Sequence, residues 1–168
     1  MVLMAAVLAG CATPPAPDPT AEIPYCHKTN KGRVITCTAA PVPSLNADAQ
    51  AKQFAPDPNA LTVYVVRRNW GDGRNFVKVY PDGGAGVDTL PDTMVRFKFK
   101  PGSHSVAFEF DGKRQSTTVE GRAGETRFLR FDGMVWAWKS TYEWVVESET
   151  ATRERALKAR LVADVAVL

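Results

Sequence analysis

Histidine is scarce in this sequence: the 168 residues include only His27 and His104. Nucleophilic catalysis usually needs a base, most often histidine, to activate the nucleophile. His27 adjoins a cysteine that we expect in a disulfide. His104 shares strand parity with Val106, so we expect it at the edge of the core, hydrogen-bonded to the neighbouring Pro-Gly turn at 101–102. The sequence therefore favours a protein that is not an enzyme, with no catalytic residues and no cofactor.

Phosphate-binding motifs and a strong charge of one sign are also lacking. The glycines at 71–73 and 83–84 have neither the spacing nor the strand-to-helix context of a phosphate loop, and they are typical of hairpin turns. Asp72 and Asp82 lie in these turns, where a short side chain that bonds its own backbone is expected. The net charge of +3 is too small to indicate a nucleic-acid partner.

Long hydrophobic runs are absent, and the longest apolar stretch opens the chain. Residues 1–10 carry no charge, and Cys11 follows them directly. An apolar run this short is typical of an export signal and too short to span a membrane. Leu-Ala-Gly-Cys at 8–11 resembles the lipobox of bacterial lipoproteins. That resemblance implies a signal peptide over residues 1–10 and a diacylglycerol on the Cys11 sulfur, which would attach the protein to a membrane.

The segment after Cys11 predicts a tether. Residues 11–24 are rich in proline and poor in large apolar side chains, which favours an extended linker and disfavours a buried helix that ends at Cys11. Ala12 rather than aspartate follows the cysteine. In lipoproteins of Gram-negative bacteria this pattern implies the outer membrane, and we expect the domain on its periplasmic face.

The two remaining cysteines, Cys26 and Cys37, form an even pair in an oxidising compartment, and we expect them to be bridged. A turn signal at 30–32 followed by a β-branched run predicts a cross-linked hairpin over 26–37. A metal site from Cys26, His27 and Cys37 lacks a fourth ligand. No metal is expected.

Residues 25–168 read as a single β domain. Short runs of β-forming residues alternate with turn signals and no helices intervene, which favours antiparallel pairing in a β-sandwich or a small barrel. After Thr150 the period changes, and Leu157, Leu161 and Val165 share one helical stripe. We expect an amphipathic helix over 150–165 that begins at Thr150 and packs on the sheet or on a partner. The predicted strands cover residues 61–67, 75–80, 94–100, 103–110, 115–119 and 125–131, with a last hairpin from 134–138 and 141–146.

Basic and aromatic side chains supply the candidate binding residues. Arg96, Lys98 and Lys100 alternate with apolar residues, so they form either a solvated sheet face or a surface for anionic headgroups, lipopolysaccharide or an acidic partner. Glu109 of the next strand is expected to lie across from one of them.

The aromatic residues of the last hairpin share one parity by number. They either fill the core or form a platform for a partner or a sugar. Trp136 and Trp138 are the candidates for partner contact. The set comprises Trp136, Trp138, Tyr142 and Trp144.

The sequence from about residue 51 to residue 131 is similar to a family of bacterial lipoprotein domains catalogued only as a domain of unknown function. Ala-Lys-Gln-Phe at 51–54, the strand at 61–67 and Phe-Lys-Phe-Lys-Pro-Gly-Ser-His-Ser-Val at 97–106 carry this similarity. The last segment also resembles the Pro-Gly-x-His signature of PEGA-type β domains, where a tight Pro-Gly turn brings the chain back over the core. The resemblance implies a β fold and transfers no catalytic residue.

These observations favour a membrane-anchored envelope lipoprotein that acts as a non-enzymatic protein-binding or scaffolding module. Two alternatives stay open at this point. One is a periplasmic inhibitor or immunity protein that acts against a secreted hydrolase or toxin. The other is a structural component of a secretion or envelope machine.

Overall fold

The computed structural model describes residues 16–68 and 71–167. The predicted signal peptide (residues 1–10), the lipid attachment site Cys11 and the first part of the predicted tether lie outside the described residues. Within the described ranges, 50% of the chain is strand and 11% is helix. The predicted β class is confirmed. The strands form a five-stranded, a four-stranded and a two-stranded sheet. Within the described residues no sheet closes into a barrel, so the small-barrel alternative is wrong.

Eleven strands and two helices make up the described part of the chain. In order they are β1 (Cys26–Lys28), β2 (Val34–Cys37), α1 (Leu45–Ala51), β3 (Leu61–Arg68), β4 (Val77–Pro81), β5 (Val87–Thr89), β6 (Thr93–Phe99), β7 (Gly102–Phe110), β8 (Lys113–Gly121), β9 (Thr126–Trp136), β10 (Lys139–Trp144), α2 (Glu149–Lys158) and β11 (Arg160–Val167).

The five-stranded sheet mixes strand directions. Its order is β10-β9-β3-β6-β11, and β3–β9 and β6–β11 are parallel pairs. Antiparallel pairing throughout, as the sequence predicted, is therefore wrong for this sheet. Parallel neighbours need a long connection. The segment between β3 and β9 contains β6 and the whole four-stranded sheet, of order β5-β4-β7-β8, and the segment between β6 and β11 runs through β7 to β10 and then α2.

The C-terminal segment is half helix and half strand. α2 begins after Ser148, whose side chain accepts a hydrogen bond from the Ala151 N–H, and not at Thr150. It ends where Ala159 takes an extended conformation. The helix predicted over 150–165 is thus wrong beyond Lys158, because the valine-rich end of the chain pairs with β6 as a strand instead.

The central strand β3 is buried on both faces over its first seven residues. On one face Val63 and Val65 join a core that includes residues of the four-stranded sheet, and the rings of Phe108 and Phe131 stack across it at 5.0 Å. On the other face Tyr64 packs in a second cluster with residues of both helices. Two apolar clusters, one on each side of β3, therefore hold the described chain together.

The Pro-Gly turn at 101–102 connects the two sheets. Because β6 and β7 belong to different sheets, Glu109 lies opposite Lys78 and Arg114 and not across from the basic residues of β6. The predicted position of Glu109 is wrong. The alternation predicted for β6 is confirmed, since Phe97 and Phe99 are fully buried.

The cross-linked hairpin predicted at 26–37 is present. Cys26 and Cys37 are directly opposite one another in the β1–β2 pair and form a disulfide. The end of the predicted tether lies against the domain: Ile23 forms a β-bridge with Val42, and the Pro19 carbonyl accepts a hydrogen bond from Asn46. The last residues of the segment predicted as a tether therefore contact the domain, since Ile23 pairs with the buried Val42.

Candidate functional site

A cleft of about 520 Å³ separates the disulfide hairpin from the glycine-rich loop that precedes β4. We call it the hairpin cleft. One wall comes from the β1–β2 hairpin, the other comes from the loop, and Val135 and Ser140 of the β9–β10 hairpin complete the lining. Its lining residues are Thr29, Arg33, Val34, Ile35, Gly71, Asp72, Gly73, Arg74, Asn75, Val135 and Ser140.

A buried ion pair anchors the loop wall of the hairpin cleft. Arg67 lies at the end of β3 with its side chain wholly buried, and it donates to Asp72 Oδ2 at 2.5 Å and to the Thr89 carbonyl at 2.6 Å. The Tyr142 hydroxyl donates to the same Asp72 oxygen at 2.7 Å. Burial raises the pKa of Tyr142, so this hydroxyl stays protonated and remains a donor. Asp72 lies in the turn as expected, but its carboxylate accepts a hydrogen bond from Arg67.

Polar contacts continue from this pair along the floor of the cleft. The Asn75 amide donates to Ser140 Oγ at 2.8 Å and to the Tyr142 hydroxyl at 3.0 Å. These bonds join the loop to β10. Because these residues lie on the loop, on β3 and on β10, the network fixes the loop against the five-stranded sheet.

The wall formed by the disulfide hairpin packs closely against Gly73 of the loop. A methyl group at Gly73 would lie 3.2 Å from the His27 ring and 3.2 Å from Ile35 Cδ1. Glycine therefore lets the loop approach the disulfide hairpin. His27 is buried in this contact, and it has a packing role there.

Two exposed arginines line the hairpin cleft. Arg33 and Arg74 are exposed lining residues, and among the described residues neither guanidinium has an ion-pair or hydrogen-bond partner. Asp72 is the one carboxylate in the lining, and Arg67 neutralises it. Sequence reasoning missed both arginines, since each is a single basic residue in a polar turn.

The last hairpin projects two tryptophans into solvent. Trp136 is 80% exposed, Trp138 is fully exposed and Met134 is 53% exposed. We call these three residues the hairpin tip. The interpretation that Trp136 and Trp138 fill the core is wrong, whereas Tyr142 is buried and Trp144 packs against the core.

The two-residue turn explains this division. Trp136 pairs with Lys139, and Ala137 and Trp138 form the turn with positive φ angles. Across such a turn an even-numbered residue of β10 shares a face with an odd-numbered residue of β9, as Tyr142 does with Gly133. Trp136 of β9 therefore lies on the opposite face of the hairpin from Tyr142 and Trp144 of β10, although all three numbers are even.

The basic residues of β6 are partly neutralised. Arg96 Nε donates to Asp164 Oδ1 at 2.8 Å, and Lys98 Nζ lies 2.9 Å from Asp57 Oδ2. The hydrogen bond from Lys98 lowers the pKa of Asp57. Only Lys100 remains exposed, and none of the three lines the hairpin cleft. The structure does not bring this stripe together with the tryptophans.

His104 holds the Pro-Gly turn as predicted. Its Nε2 lies 2.7 Å from the Lys100 carbonyl oxygen, its Nδ1 lies 2.6 Å from Asp82 Oδ2, and its ring stacks on Phe99 at 4.4 Å between centroids. Both ring nitrogens face acceptors, so neither is positioned to take a proton from a nucleophile.

Among residues 16–68 and 71–167, no three histidine, cysteine, aspartate or glutamate side chains are grouped closely enough to hold a metal ion. No helix in these ranges has the length and apolarity needed to cross a bilayer. No protein-family model matches the chain, and the curated proteins contain no significant match to it.

Proposed function

We propose that this chain is a lipid-anchored protein of the bacterial envelope, held on the periplasmic face of the outer membrane, whose domain binds another protein without catalysing a reaction. One observation carries the binding role: the hairpin tip exposes two tryptophans and a methionine together. Burying one aromatic side chain removes roughly 150–250 Å² from water. Tryptophan is enriched among the residues that dominate protein interfaces.

Anchoring is supported by the sequence alone, through the lipobox-like segment that ends at Cys11. The shared core of the four- and five-stranded sheets supports a sandwich arrangement with the helices on its outer side. This arrangement agrees with the resemblance to PEGA-type β domains. A rigid sandwich on a proline-rich linker can present the hairpin tip at a distance from the membrane surface.

A protein partner fits the hairpin tip better than a lipid surface does. Tryptophan also inserts at membrane interfaces, so the charges beside it decide the matter. On the same outward face as Met134 and Trp136, Asp132 is paired with Arg130, and the exposed Lys139 and Glu143 carry opposite charges. This face therefore has no excess of positive charge that would attract anionic headgroups.

The test starts from the lipidated protein, cross-linked mildly in its own cells, and identifies a stoichiometric partner by mass spectrometry. The purified pair is then measured by calorimetry, with a variant that carries W136S and W138S. Loss of one such anchor costs about 2 kcal/mol or more, so the double variant should weaken binding by at least about 100-fold.

The control is Leu157→Ser, which removes a half-exposed apolar side chain from α2, away from the tip. It should leave the affinity within about threefold of wild type. Equal affinity of the tip variant and wild type would refute the assignment. So would binding of the tip to phospholipid vesicles in place of the partner.

A further inference from the structure

We infer that the hairpin cleft binds an acidic, extended segment of the partner protein, whose carboxylates pair with Arg33 and Arg74. This inference rests on the proposed function, because it takes the partner to be a protein. It adds a second contact surface, on the opposite face of the β9–β10 hairpin from Met134 and Trp136.

The charge of the cleft points to an anion. Three charged side chains line it, and the negative one, Asp72, is neutralised inside the core by Arg67. Arg33 and Arg74 remain uncompensated at the mouth. The hairpin that carries Arg33 adds positive charge, since residues 26–37 contain two further lysines and no aspartate or glutamate. A ligand here meets a positive field with no local acid to compete with it.

The residue type favours carboxylates over a diffuse charge contact. A guanidinium presents a planar fork of donors that matches the two oxygens of a carboxylate. Elsewhere in this domain arginine already serves that purpose, as Arg96 does with Asp164. Arg33 and Arg74 carry the same guanidinium group, and neither has a carboxylate partner among the described residues.

The rest of the lining favours a peptide over a small anion. Val34, Ile35 and Val135 offer apolar surface, and Thr29 and Ser140 offer hydroxyl groups beside it. A volume of about 520 Å³ falls within the range of specific ligand sites. An extended peptide with alternating acidic and apolar side chains would use the charges, the apolar surface and the hydroxyl groups together.

The cleft is built before the ligand arrives. The disulfide between Cys26 and Cys37 fixes one wall, the buried pair of Arg67 with Asp72 fixes the other, and Gly73 brings them into contact. Preorganised walls reduce the ordering cost of binding.

The experiment uses the folded, oxidised domain and two short capped peptides, one of alternating aspartate and valine and one with asparagine in place of aspartate. Binding is followed by amide chemical shifts in NMR. The aspartate peptide should shift signals of Thr29, Ile35 and Gly73, and the asparagine peptide should not. A variant with R33Q and R74Q should weaken binding at least about tenfold. Both side chains are exposed, so its melting temperature should match wild type.

The matched control is a variant with K113Q and R122Q, which removes two exposed positive charges from outside the cleft. It should bind the aspartate peptide as wild type does. Equal weakening by the control variant, or equal binding of the asparagine peptide, overturns the inference. Competition by inorganic phosphate or lipopolysaccharide at lower concentration than the peptide also overturns it, in favour of a phosphate site.

The tip variant W136S/W138S separates this inference from the proposed function. If that variant loses the partner while the aspartate peptide binds nowhere in the cleft, the inference fails and the protein-binding role of the tip stands. If the peptide binds the cleft in both wild type and the tip variant, the cleft is an independent contact.

Discussion

Removal of the buried carboxylate of Asp72 is the sharpest test of how the hairpin cleft is held. In Asp72→Ala, Arg67 loses its one carboxylate partner among the described residues and keeps the Thr89 carbonyl as an acceptor. The Tyr142 hydroxyl loses an acceptor in the same step. An uncompensated buried charge of this kind typically costs about 3–5 kcal/mol.

A surface pair provides the scale for this loss. Lys78 and Asp88 lie 2.7 Å apart, with side chains that are 48% and 40% exposed. Because solvent screens this pair, Asp88→Ala should cost less than about 1 kcal/mol. A variant that replaces Arg67 with Met and Asp72 with Ala removes both buried charges, and it should recover at least about 1 kcal/mol relative to Asp72→Ala alone.

The assay is urea unfolding followed by tryptophan fluorescence, with the disulfide intact and at one pH for all variants. A domain of ordinary stability has about 5–15 kcal/mol to lose, so the expected difference is resolvable. If Asp72→Ala is no more destabilised than Asp88→Ala, the buried pair does not hold the loop. The loop wall of the hairpin cleft would then not be fixed before a ligand binds.

Two further results are expected. A variant with Cys26→Ser and Cys37→Ser should lose about 3 kcal/mol in the same unfolding assay, since the closed loop restricts the unfolded chain; an unchanged midpoint would show that the hairpin does not unfold with the domain. Burial alone would raise the pKa of Glu147, but the hydrogen bond from Thr152 and the charge of Arg130 lower it below its ordinary value of 4.5. The stability that this carboxylate contributes is therefore present above that value and lost as pH falls through the lowered pKa. Glu147→Gln should lower the melting temperature at about pH 7 and approach wild type near pH 3, and a difference that does not vary with pH contradicts this.

Local periodicity was sufficient to predict those parts of the fold in which neighbours in sequence decide the outcome. The alternation in β6 placed Phe97 and Phe99 inside because successive side chains of a strand point to opposite faces. The cysteine count identified the disulfide of Cys26 with Cys37, since only two cysteines remained to pair.

Pairing over long distances in the chain could not be predicted in this way. The spacing of the apolar residues over 157–165 is compatible with one helix and also with a helix followed by a strand. The segment forms strand β11 because the edge of β6 is open for pairing. Residues 134–136 continue β9 beyond an expected break because they pair with β10. Strand β5 is three residues long and has no pattern of its own.

The candidate site combined two features that single-residue reasoning misses. Arg67 ends an apolar strand, where a charged residue usually marks the surface, yet its partner Asp72 follows in a glycine-rich turn and brings it inside. The cleft itself joins segments that are distant in sequence, such as Arg33 and Arg74. A search for charged residues directly after buried strands, each with an acid in the next turn, would have identified the Arg67–Asp72 pair.

Strand β11 also determines when the domain can fold. It is the last element of the described chain, and it covers the edge of β6 through pairs that begin with Arg160 and Thr93. Until residues 160–167 have been synthesised, β6 keeps an open edge and the sheet cannot be completed. Contacts between residues so distant in sequence form slowly. Completion of the five-stranded sheet is therefore a late step in folding, because it depends on the pairing of β11 with β6.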